Sequence, residues 1–97
     1  MINLNSIPAP IPTVASRILD GEAVLVHPGQ GKVKVLNELG TEIWQRLDGK
    51  RTILEIVEAL FAHYHVNRTV LEHDVIRFVQ GLHERDLVSI EGPADSP

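Results

Sequence analysis

Five histidines, His27, His63, His65, His73 and His83, are the side chains of this sequence best suited to bind a metal or move a proton near neutral pH. Their spacing works against both uses. His63 and His65 stand about 200° apart around a helix, so they can share one ion only if the helix ends between them. His73 and His83 differ by about 80° in direction, and no H-x-x-x-H pair exists. Solvent-facing or helix-terminal histidines and no metal site are the expectation. The carboxylates Glu42, Glu55, Glu58, Glu72, Asp74 and Glu84 are spread over helix surfaces, without a pair that the sequence places in a pocket for acid-base work. There is no cysteine, which removes thiolate metal sites, disulfides and a thiol nucleophile. Gly29-Gln30-Gly31-Lys32 lacks the G-x-x-x-x-G-K-[ST] spacing and the following helix of a phosphate loop, and reads as a hairpin turn. No catalytic residue and no cofactor are expected.

The elements that must position whatever function remains follow from the pattern of apolar residues. Pro8, Pro10 and Pro12 make residues 1–12 an extended arm, because each ring restricts φ and removes a backbone donor. Residues 13–19, 23–27 and 32–36 are short β-rich runs, separated by Asp20-Gly21 and by Pro28-Gly29-Gln30-Gly31. Both separators are hairpin signals, so three consecutive antiparallel strands are expected.

The period then changes to that of a helix. Leu39, Ile43, Trp44 and Leu47 share one face, with Asn37 as N-cap and Gly49 as the stop. Thr52 and Glu55 form a capping box ahead of Ile53, Ile56, Val57, Leu60, Phe61 and Tyr64. A third helix, capped by Asn67 or by Thr69 with Glu72, carries Leu71, Val75, Phe78, Val79 and Leu82 on one stripe and ends near Asp86. Residues 87–90 should lie extended against the body, and residues 92–97 form a frayed tail. The domain proper is residues 13–91, a small α+β fold of three strands followed by three helices.

With 97 residues, 43% of them apolar, the chain suits a single core. A net charge of −4 disfavours a phosphate backbone, although strands and three helices raise the alternative of a winged-helix transcriptional regulator. The third helix answers that alternative poorly, since it mixes Glu72, Asp74, Glu84 and Asp86 with Arg68, Arg77 and Arg85. A hydrolase or metal enzyme using His63, His65 or His73 is a further alternative. The start of the chain lacks a signal-peptide pattern and no window is apolar enough for a membrane span, so a cytoplasmic protein with no membrane partner is expected. What remains is a surface for another chain: a three-stranded sheet has open edges that an extended peptide can complete, with Lys32 and Lys34 limiting unwanted pairing.

The run from Lys34-Val35-Leu36-Asn37 through Ile43-Trp44, then Leu47-Asp48-Gly49-Lys50-Arg51-Thr52 and Glu55-Ile56-Val57, resembles the PqqD family of leader-peptide recognition elements. Asp74-Val75-Ile76-Arg77-Phe78-Val79 and Arg85-Asp86-Leu87-Val88 continue the likeness, which spans about residues 13–90. Asp86 departs from it, standing where the family often has glycine. The resemblance implies a winged-helix-like fold in which the leader of a ribosomal precursor peptide adds antiparallel to the third strand and lies against the third helix. The strand would supply Lys32, Val33, Lys34, Val35 and Leu36. Val70, Asp74, Arg77 and Gly81 lie within about 60° of one another on the helix and, with Phe78, would form the far wall. The partner enzyme it implies is a radical SAM enzyme in pyrroloquinoline quinone biosynthesis, or a leader protease and cyclase in lasso peptide biosynthesis.

Overall fold

A computed structural model describes residues 2–91, so the tail expected at residues 92–97 lies outside the described residues. In chain order the elements are β1 (Pro8–Pro10), β2 (Ala15–Leu19), β3 (Glu22–His27), β4 (Lys32–Val35), α1 (Glu38–Gln45), α2 (Ile53–Phe61), α3 (Arg68–Glu84) and β5 (Val88–Ile90). Strands β2, β3 and β4 form an antiparallel sheet in that order, and the three helices follow it. This is the α+β arrangement that the change of period predicts. The pairing of β1 with β5 as a second, two-stranded sheet is an addition that sequence periodicity does not contain.

Local chemistry explains most boundaries. Asp20 and Gly21 both have positive φ, 52° and 81°, the conformation of a two-residue turn whose twist matches that of the flanking strands. Leu19 therefore pairs with Glu22, and the register of β2 on β3 follows. Asn37 caps α1 by accepting from the Gly40 N–H at 2.8 Å, and Thr52 with Glu55 closes a reciprocal capping box on α2. Asn67, rather than Thr69, caps α3. Asp86 has φ of 59°, in the left-handed region that favours glycine.

Strand β3, the end of β4 and one face of each helix build most of the core, while β2 is exposed along its length. Ala23, Leu25 and Leu36 come from the sheet, Ile53, Ile56, Val57 and Leu60 from α2, and Leu71, Val75, Val79 and Leu82 from α3. The expected stripe on α2 is one turn too long. The helix ends at Phe61, whose ring is 40% exposed and lies 5.6 Å under the Arg68 guanidinium. Arg68 also pairs with Glu58, which ties the start of α3 to α2, and with Glu72 one turn along its own helix. The hydrogen bond from Arg68 holds the Glu58 carboxyl below its ordinary range.

The proline segment is extended and packed against the body. Carbonyls of Ser6 and Leu4 accept from the N–H groups of Ile53 and Leu54, which are donors in the first turn of α2 that no helical carbonyl can reach. Pro8 accepts from Gly49, and Ile11 donates to Leu87.

The passage from sheet to helix turns on Thr41, which is only 4% exposed. Its Oγ1 accepts from the Ala23 N–H at 2.8 Å and donates to the Leu36 carbonyl at 3.5 Å, bridging two groups that would otherwise form the last bond of the β3–β4 ladder. Thr41→Val keeps the shape but leaves the buried Ala23 donor without a partner. It should cost about 1–3 kcal/mol of stability, read as a lower denaturant midpoint with an unchanged slope.

Candidate functional site

Strand β4 is an edge strand, and its hydrogen-bonding pattern says which groups it offers. The Leu36 N–H donates to the Ala23 carbonyl at 2.8 Å, so Ala23 and Leu36 are a bonded pair. Bonded and non-bonded pairs alternate in an antiparallel ladder. With Leu25 opposite Lys34 and His27 opposite Lys32, those two are the remaining bonded pairs. Val33 and Val35, opposite Val26 and Val24, therefore turn their N–H and C=O groups to the free edge. No turn, loop or cap bond among the described residues uses the backbone of either valine.

The side chains divide by the same parity. Val33 and Val35 are on the outer face, 62% and 59% exposed, together with Val26 and the half-buried Val24. Lys32 and Lys34 share the inner face with Leu25 and Leu36. Leu36 corrects the expectation drawn from the resemblance: its side chain is 2% exposed and belongs to the core, and its N–H is already bonded. It anchors the strand and presents no side chain to a peptide.

Two depressions lie along α3, one against the start of α1 and one between the end of the helix and the β3–β4 hairpin. One, of about 450 Å³, is lined by Asp74, Arg77 and Phe78 from α3 and by Asn37, Leu39, Gly40 and Ile43 from the start of α1. The other, of about 220 Å³, lies beside the β3–β4 hairpin and is lined by Lys32, Val33, Lys34, Leu25, His27, Gln30, Arg85 and Leu87. Six of the ten residues expected at the site thus line one or other of these depressions. Val35, Val70, at the exposed start of α3, and Gly81 line neither. The Gly81 carbonyl instead accepts from Arg85 Nη1 at 3.1 Å.

Asn37, Leu39 and Gly40 on one wall and Arg85 on the other are the residues that sequence reasoning missed. Extending the Val70, Asp74, Arg77 and Gly81 stripe by one more helical turn reaches Arg85, so that signal was present. Gly40 gave none, because its role depends on the ring of Phe78. A Cβ built on Gly40 would stand 2.9 Å from the Phe78 ring and 3.1 Å from the capping oxygen of Asn37.

His63, His65, His73 and His83 are exposed, and His27 is half-buried with its Nδ1 enclosed and without a hydrogen-bond partner among the described residues. Among the described residues no three His, Asp or Glu side chains come together to hold a metal ion, and no helix is long and apolar enough to cross a membrane.

An open edge strand whose hairpin shares a depression with the end of α3 places the molecule among small α+β domains with an exposed sheet edge. The chain belongs to the PqqD family: the family described as coenzyme PQQ synthesis protein D matches residues 22–88. Two solved structures share the fold. TbiB1 in complex with the TbiA(beta) leader peptide is 34% identical with a TM-score of 0.77, over 90% of this chain and 99% of that one. Lasso peptide synthetase B1 complexed with the leader peptide is 25% identical with a TM-score of 0.78, over 86% of this chain and 98% of that one. No curated protein matches the chain.

Gly40→Ala should force the Phe78 ring toward the groove or the Asn37 cap to open. Overpacking of this kind costs about 1–3 kcal/mol, and a fall in the thermal midpoint accompanied by a shifted Phe78 ring resonance would register it.

Proposed function

We propose that this chain is a non-catalytic recognition module that binds the leader of a ribosomal precursor peptide on β4 and presents the peptide to a separate modifying enzyme. The observation that carries the reading is the free edge of β4, where Val33 and Val35 hold two donors and two acceptors in register for an added antiparallel strand. Backbone bonds supply affinity without regard to sequence, and the groove against α3 supplies the choice of leader. Asp74 would pair with a basic leader residue or an amide, Arg77 with an acidic one, and Phe78 would give apolar contact. Residues 13–91 form the peptide-binding domain in this reading, with residues 1–12 as an arm whose described part hydrogen-bonds to it.

The two similar structures carry leader peptides according to their names, and one is named for lasso peptide synthesis. The structure named for lasso peptide synthesis favours a leader protease and cyclase as the partner system over a radical SAM enzyme. The DNA-binding alternative gains nothing from the site: α3 presents Asp74 beside Arg77 and Phe78, and two further acidic side chains, Glu72 and Glu84, lie along the helix.

Titration of the full chain with labelled TbiA(beta) leader, with peptides selected from a displayed random library, and with duplex DNA at low salt tests the reading. Saturable peptide binding that protects the Val33 and Val35 amides from hydrogen exchange, with no salt-sensitive DNA binding, is the expected result. Peptide binding that leaves those amides unprotected would sink the placement.

Val33→Pro should weaken a β4-bound peptide about tenfold through loss of one edge donor. Because the Val33 N–H is not bonded to β3, the variant should keep its circular dichroism spectrum. Asp74→Ala should weaken binding about threefold at unchanged helix content, as befits an exposed charge.

A further inference from the structure

The groove has two electrically different ends. At the hairpin end Lys32, Lys34 and Arg85 line one depression with Leu25 and Leu87, and no carboxylate lines it. None of these three cations has a carboxylate within ion-pairing distance among the described residues, and the Arg85 bond to Gly81 leaves most of its guanidinium donors for a ligand. The cluster is not a by-product of composition, since the chain as a whole carries −4. At the other end Asp74 stands beside Arg77, so the two signs meet there.

We infer that the hairpin end of the groove is a subsite for acidic side chains on the C-terminal side of the bound leader segment, two positions apart. This inference rests on the strand-addition reading above. A strand antiparallel to β4 runs from the Val35 end toward Lys32, which brings its later residues to the cationic depression. Parity then selects the side chains. Leader residues opposite Lys34 and Lys32 fall on the inner face, in the non-bonded pairs where side chains approach most closely. They point toward Arg85 and Leu87, whereas the residue between them, opposite Val33, falls on the outer valine face. Lys34 is half-buried and Leu25 and Leu87 are buried, so a carboxylate here meets its partners partly out of water, where attraction is stronger. The same arrangement sets polarity, because a leader bound in the reverse direction would bring its acids to Asp74.

The probe is a random library of 20-residue peptides on phage, panned against the full chain, with binders retained only if they protect the Val33 and Val35 amides. Expected is enrichment of Asp or Glu at two positions two apart, downstream of the apolar contacts. Changing both to amides in a synthetic binder should lower affinity about fourfold to twenty-fivefold, at about two- to fivefold for each cross-strand pair, and should flatten the dependence on salt. The double variant K32E/K34E should reverse the preference and favour lysine at those positions. Binders that protect β4 yet show no acid preference, or that lose both carboxylates without loss of affinity, would overturn the subsite and leave the strand-addition reading standing. Binders that never protect β4 would overturn that reading and the subsite with it.

Discussion

The hydroxyl of Thr41 occupies the place of a ladder bond between β3 and β4, and the geometry of the groove depends on it. By taking the Ala23 N–H and reaching the Leu36 carbonyl, it ends the sheet without leaving a buried donor unpaired. The chain can then turn at Asn37 and start α1 at once. Leu36 drops into the core, β4 stops at Val35, and the first turn of α1 is set against α3. Without that substitution of one oxygen for another, the ladder would have to continue or the sheet would lose its seam with the helices.

From that seam the two walls of the groove follow. Gly40 lies one residue before Thr41, and its missing side chain admits the Phe78 ring to the backbone of α1. This close approach brings Asp74 and Arg77 on the same helix alongside Asn37 and Leu39 at the start of α1. At the far end of α3, Asp86 in a left-handed conformation turns the chain so that Leu87 enters the core and Arg85 stays over the hairpin. The helix thus spans both ends of the strand, and Arg68 with Glu58 and Glu72 holds its start in place.

The free edge is a hazard for any soluble sheet, since it can recruit strands indiscriminately. Here it is four residues long, and two of the four are lysines. Charge of one sign repels a second copy of the same strand while it attracts an acidic partner, so the same side chains can limit self-association and sort ligands. The outer edge, β2, has no such lysine pair and runs beside the N-terminal proline segment instead.

Much of this was legible in the sequence, for reasons of local chemistry. Asp20-Gly21 specified a hairpin because both positions need positive φ, and the capping residues Asn37, Thr52 and Asn67 marked helix starts because each satisfies a donor that no helix carbonyl can reach. Lys32, Val33 and Lys34 and the Asp74, Arg77 and Phe78 group were expected from the family resemblance, and each set lines a depression. Other features were decided only by the tertiary structure. The pairing of β1 with β5 joins segments some eighty residues apart, and no pattern within either short strand announces the other. Leu36 and Val35 are both apolar neighbours in one run, yet one is buried and the other is not, because the register on β3 assigns them to opposite faces. Phe61 continues a perfect apolar rhythm but lies beyond the reach of the core and takes a cation instead. Residue spacing settled which groups could form an edge and a wall, and only packing settled that a glycine, a buried hydroxyl and Arg85 complete them.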